Sequence, residues 1–284
     1  MSTAQVLLLG LVAGATILLG LPIGRLRRPA PVLKQLLSAS ATGVLVFLLW
    51  DVLAAAFGPL EVAAVGWHSG DSGPAPLAGY SLLFFGGLAV GLMGLVYYEL
   101  WMSRRMAAGK ARKFGPGAMA ATEVAARRGV IAWSSAKRLA LMIAVGIGLH
   151  NFAEGLAIGG AAAKGEVALA TLLIIGFALH NATEGFGITA PLAGAEERPT
   201  WSFLMTMGLI GGGPTFVGTL IGHSVTSEPI SVAFLTLAAG SIMYVVVQLI
   251  GVGLKGRREL LGWGLLIGLS AGFLTDLIVS TAGV

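Results

Sequence analysis

The chain carries HNFAEG from His150 and HNATEG from His180, thirty residues further on. Between them these segments use two of its four histidines. In each, histidine and glutamate are four residues apart, so on a helix they share one face with Cβ atoms about 5–6 Å apart. Two side chains that close can converge on one cation, at ligand distances of about 2.0–2.2 Å. His150 with Glu154, and His180 with Glu184, therefore offer two imidazole nitrogens and two carboxylate oxygens, a donor set that suits a divalent transition metal. Histidine and glutamate also serve as proton relays, so the relay stands as the rival chemistry. Asn151 and Asn181 point about 100° away from the histidines. They either widen the site with carbonyl oxygens or hydrogen-bond between helices.

The elements that must position these groups are apolar. Hydrophobic residues make up 56% of the 284 and charged residues 11%, against about 25% charged in a soluble domain. Eight runs, at about 4–24, 33–57, 79–102, 139–163, 167–190, 201–222, 229–254 and 260–280, are each long enough to cross a hydrocarbon core as a helix. The fold class expected is an all-α integral membrane protein of eight transmembrane helices, with both hexapeptides near the midplane on the hairpin of spans 4 and 5. An ionisable group there costs roughly 2.5–3.5 kcal/mol on insertion scales and marks a functional site by default. Of the 18 Lys and Arg residues, all but Lys164 fall on one side of this topology, which makes that side cytoplasmic and places both termini outside. The net charge of +5 thus reflects topology and gives no footing for nucleic-acid binding. The first span is expected to be retained, because its basic GRLRR follows the apolar run instead of preceding it. With no cysteine, thiolate metal sites, disulfides and haem attachment are excluded.

Three segments organise one membrane domain: residues 1–102 with spans 1 to 3, a basic cytoplasmic loop at 103–138, and 139–284 with spans 4 to 8. The outer stretch 58–78, with GWHSGDSGPAP, reads as a turn-rich connector carrying His68 and Asp71. Span 6 contains GGGPT, and Gly213 and Pro214 predict an interruption of the helix in the membrane. Asp51 and Asp276 fall toward the outer ends of spans 2 and 8, where they form a candidate acidic entrance for cations. His223 and Glu228, before span 7, read as ordinary surface residues.

The two hexapeptides and this layout resemble the ZIP (Zrt/Irt-like protein) family of divalent-metal transporters, in its bacterial form. The resemblance extends over the whole layout of eight helices, the long cytoplasmic loop and the short motif-bearing hairpin. It implies a metal site at His150, Glu154, His180 and Glu184, with Asn151 and Asn181 in or beside the ligand set. It also implies transport of Zn²⁺, Fe²⁺ or Mn²⁺, with Cd²⁺ as a further candidate, toward the cytoplasm. A homodimer in a bacterial inner membrane follows from the same resemblance, with helices 1, 4, 5 and 6 moving against the rest. The chain departs from the family pattern at Ala153 and Thr183, where proline commonly precedes the motif glutamate, so both helices are expected to run straighter. Gly213 stands where many bacterial members have a glutamate that helps bind a second metal, and a single ion is the expectation.

No enzymatic activity is expected: there is no H-E-x-x-H and no uncommitted glutamate beside the site to act as a general base for a metal-dependent hydrolase. Beyond metal transport, the residues leave open a proton-coupled carrier of a non-metal solute and a metal-binding receptor that transports nothing.

Overall fold

A computed structural model describes residues 2–25, 31–111, 133–165, 167–192, 198–224 and 227–281. Among the described residues it is all helix, without a strand. The helices are α1 (Thr3–Ala15), α2 (Ile17–Gly20), α3 (Pro31–Ser69), α4 (Pro74–Ala111), α5 (Ser135–Ala163), α6 (Val167–Thr189), α7 (Trp201–Ser224), α8 (Glu228–Gly253) and α9 (Arg258–Thr281). Short 3-10 turns at Leu21–Arg25 and Ala190–Leu192 extend α2 and α6. Seven stretches among the described residues are long and apolar enough to cross a membrane, the first running from Thr3 to Arg25. The 167–190 span coincides with α6, which is not among those seven.

Three sequence expectations are corrected. The outer connector is mostly helical: α3 continues to Ser69, and the turn is confined to the few residues before Pro74. At 39 residues α3 is about 58 Å long, well beyond a hydrocarbon core of about 30 Å. Pro59 sits inside it without ending it, and Ala56 and Leu60 on either side pack with Phe84 of α4 in a buried cluster. Asp51 consequently lies near the middle of its helix instead of toward an end. The segment 103–138 begins as helix, since α4 runs to Ala111. Arg27, Arg28, Arg112, Lys113, Arg127 and Arg128 lie outside the described residues. Finally, α7 runs unbroken from Trp201 to Ser224 with Pro214 inside it. Its glycines serve close packing: a Cβ at Gly212 would stand 2.1 Å from the Gly14 carbonyl oxygen, and one at Gly211 2.8 Å from Ile17. Gly213 has nothing within 4 Å of that position.

Glycine contacts divide the helices into two bundles. Along α5 and α7, Cβ atoms at Gly148, Gly155 and Gly159 would meet the carbonyl oxygens of Ile210, Thr215 and Thr219 at 2.3, 2.2 and 2.3 Å. Gly218 and Gly222 return the contact against Phe152 and Leu156. Gly14 joins α1 to α7, and Gly20 and Gly185 join α2 to α6 in the same way. Together α1, α2, α5, α6 and α7 form what is here called the site bundle. Glycines also pair α3 with α9, through Gly43 and Gly268, and α4 with α8, through Gly91 and Gly240, and the packing of α3 on α4 and α8 around Ala56, Phe84 and Leu235 joins these pairs into a second, flanking bundle. Glycine contact of this kind lets backbones approach where lipid supplies no hydrophobic drive for association. The glycines that face from one bundle to the other, Gly146 and Gly187, meet the side chains of Val245, Ala41 and Leu249 first.

Candidate metal centre

Helices α5 and α6 are joined by a turn at Lys164 and Gly165, whose φ of +79° is a left-handed conformation that glycine adopts without strain. The two helices therefore run antiparallel, which reverses the order of their motifs. On α5 the histidine lies nearer the end carrying Arg138, Arg198 and Lys255; on α6 the glutamate does. We call this the basic end.

Four side chains converge at the crossing. Glu154 Oε1 stands 2.8 Å from His150 Nε2 on its own helix and 2.5 Å from His180 Nε2 on the neighbour. His150 Nε2 is 3.9 Å from Glu184 Oε1. The centre thus has two layers, His180 with Glu154 away from the basic end and His150 with Glu184 toward it. Side-chain exposure falls from 14% and 5% in the first layer to 2% and 1% in the second. Both His150 ring nitrogens, Glu154 Oε2 and both Glu184 oxygens are buried without a hydrogen-bond partner.

Unpartnered acceptors at this depth are costly, and a cation would supply what they lack. Ligand atoms of His150, His180 and Glu184 already lie within 4.8 Å of one another. Two ligands on one ion can be at most about 4.4 Å apart, so side-chain rotation of a few tenths of an ångström brings the set to coordination distance. Glu154 Oε1 lies between the two imidazole nitrogens and is placed to join them.

Both asparagines tie helices together. Asn151 Nδ2 donates to the Gly211 carbonyl of α7 and Asn181 Nδ2 to the Ala13 carbonyl of α1, each at 3.0 Å and fully buried. A backbone carbonyl only accepts, which fixes the amide orientation and leaves both Oδ1 atoms buried and unpartnered. The carbonyl partners could not be read from the motifs, because they are set by tertiary packing.

At the two motif positions without proline the helices stay regular. Ala153 is buried in the main core, and the Thr183 hydroxyl donates to the His180 carbonyl at 2.7 Å. Phe177, which sequence reasoning did not single out, lays its ring 5.4 Å from that of His180 on the side away from the basic end. Asp51 of α3 is within electrostatic range of His150, Glu154 and His180, and also of Asp276. Pro214 and Gly213 belong to α7 packing, as above. His223 Nε2 lies 3.3 Å from the Thr3 hydroxyl, and Glu228 accepts from the Tyr80 hydroxyl at 2.5 Å. Both pairs are distant in sequence and link helices.

A bundle of long apolar helices with a His/Glu cluster buried among them defines a multi-pass membrane protein whose buried cluster could hold a metal ion. A family model described as ZIP zinc transporter matches residues 109–274, which include both hexapeptides, and the chain belongs to that family. Members are transporters, not enzymes, and membership points to movement of a divalent metal. No curated protein matches the chain.

Proposed function

We propose that the protein carries a divalent transition-metal ion of the Zn²⁺, Fe²⁺ or Mn²⁺ class across the membrane toward the cytoplasm. The observation that carries this reading is the convergence of His150, Glu154, His180 and Glu184, with two imidazoles and two carboxylates buried at one crossing. In this account His150 and His180 ligate through nitrogen, and Glu154 and Glu184 through oxygen while neutralising the ion. Asn151 and Asn181 hold α7 and α1 to the liganding hairpin and keep their free oxygens beside it.

All eight spans cross the bilayer, α6 included, with both termini outside and the basic end in the cytoplasm of a bacterial inner membrane. The chain acts as one membrane domain, with residues 103–138 as its basic cytoplasmic segment, and works as a homodimer. Asp51 and Asp276 guide cations toward the centre. The division into bundles supports a mechanism in which the site bundle moves as a unit: glycine-to-carbonyl contacts lock the helices of the site bundle together, whereas the glycines between bundles meet side chains first.

The test is uptake into proteoliposomes by wild type and by a Glu154→Ala, Glu184→Ala double mutant. The reading requires saturable uptake that the double mutant lacks, and equal uptake by both proteins would refute it.

A further inference from the structure

Burial at the centre has a direction. The layer away from the basic end keeps 14% exposure at His180, whereas His150 and Glu184 beneath it are at 2% and 1%. Packing between the bundles has the same polarity. Toward the basic end one continuous buried core joins Leu45 of α3 and Val245 and Leu249 of α8 to Ile147 of α5 and Ile188 of α6. Toward the opposite end the buried clusters of the described residues separate. Val6, Ile158 and Ile174 fall in clusters wholly within the site bundle, and Ala56, Leu60 and Phe84 in one wholly within the flanking bundle. Among the described residues, the Phe152–Phe234 ring pair, 4.7 Å apart at the level of the centre, is the last aromatic contact between bundles in that direction.

Closure begins one turn beneath the ligands on both helices. Four residues before His150, a Cβ at Gly146 would stand 2.7 Å from Val245. Three residues after Glu184, a Cβ at Gly187 would stand 3.8 Å from the Ala41 Cβ and 3.9 Å from Leu249. Ala41 and Leu249 are 2% and 1% exposed.

We propose that this structure is the state in which the centre is open away from the basic end and shut toward it, with Gly187 against Ala41 and Leu249 as the closing contact. The proposal rests on the transport reading above and adds which side is shut and where. Opening toward the basic end requires α6 to leave α3 and α8 at this point. Small residues suit such a contact, because they part without rotamer rearrangement and leave room for a hydrated ion to pass.

The chain contains no cysteine, so the contact can be trapped directly. The 3.8 Å separation of the Ala41 Cβ from the Gly187 Cβ position matches the about 3.5–4.5 Å of a disulfide. An Ala41→Cys, Gly187→Cys double variant is expected to cross-link within the chain on mild oxidation. Metal uptake then falls to the level of protein-free vesicles and recovers with reductant, while the oxidised protein still binds Zn²⁺. Failure of the folded protein to cross-link would overturn the proposal. So would a cross-link that leaves uptake intact, or one that abolishes Zn²⁺ binding together with uptake. Cross-linking and Zn²⁺ binding are read without flux, so absence of uptake in the reduced protein would count against the transport reading alone. If the double variant does not fold, single Ala41→Cys is expected to resist an impermeant maleimide applied at the basic end. Labelling as fast as that of Lys255→Cys would overturn the proposal.

Discussion

Glu154 Oε1 lies 2.5 Å from Nε2 of His180, a residue on another helix, closer than the 2.8 Å to His150 on its own. The antiparallel turn at Gly165 produces this crossing, because it sets the glutamate of the first motif level with the histidine of the second. One carboxylate oxygen therefore lies against both imidazoles and hydrogen-bonds that of His180.

This arrangement fixes a proton balance. An ionised carboxylate only accepts, so His180 Nε2 presents its N–H to Glu154. A neutral imidazole takes a metal ion at Nε2 by moving its hydrogen to Nδ1, whereas an imidazolium or a protonated carboxyl in the empty site must give up its proton, and binding then releases it. Zn²⁺ titrated into weakly buffered protein should acidify the solution, and apparent affinity should strengthen as pH rises. Affinity independent of pH, with no proton release, would show that the empty site carries no such proton.

The asparagine ties predict a division between stability and ligation. Asn151→Ala leaves the buried Gly211 carbonyl without its side-chain donor, and Asn181→Ala leaves the Ala13 carbonyl with only the Thr16 hydroxyl at 2.7 Å, each at a cost of about 1–2 kcal/mol. Thermal unfolding in detergent should shift down for both, and Zn²⁺ affinity should fall much less than in His180→Ala. An affinity loss equal to that of His180→Ala with unchanged unfolding would make the asparagines ligands first.

Two neighbouring glycines of α7 should respond oppositely to alanine. A Cβ at Gly218 would stand 2.1 Å from the Phe152 carbonyl oxygen, so Gly218→Ala must push α5 and α7 apart, costing about 1–3 kcal/mol. Nothing lies within 4 Å of the corresponding point on Gly213, and Gly213→Ala should be neutral or stabilising by up to about 1 kcal/mol. Equal effects on unfolding would remove the packing account of the site bundle.

These contrasts mark how far the sequence could be read. The four-residue spacing within HNFAEG and HNATEG was enough to place each His–Glu pair on one helix face, and apolar run length was enough to locate most helices. The crossing of pairs was not legible from either motif, since it depends on how α5 and α6 face each other. Gly58 and Pro59 read as a stop, yet tertiary packing of Ala56 and Leu60 against Phe84 carries α3 on to Ser69. Gly211 to Pro214 read as a break, because local propensity weighs glycine as a weak helix former and is blind to the Gly14 backbone it admits. A signal for that packing was present in the four- and seven-residue spacings of Gly148, Gly155 and Gly159 on α5 and Gly211, Gly218 and Gly222 on α7. It becomes informative only when the two helices are paired.

The central claim is that an ion passes through the His/Glu crossing. The most direct measurement is uptake of Zn²⁺, Fe²⁺, Mn²⁺ and Cd²⁺ into proteoliposomes by wild type and by His180→Ala, whose side chain belongs to the more exposed layer. The account predicts saturable uptake of at least one of these ions by wild type and its collapse in the variant. Undiminished uptake by folded His180→Ala, or none by folded wild type, would contradict it.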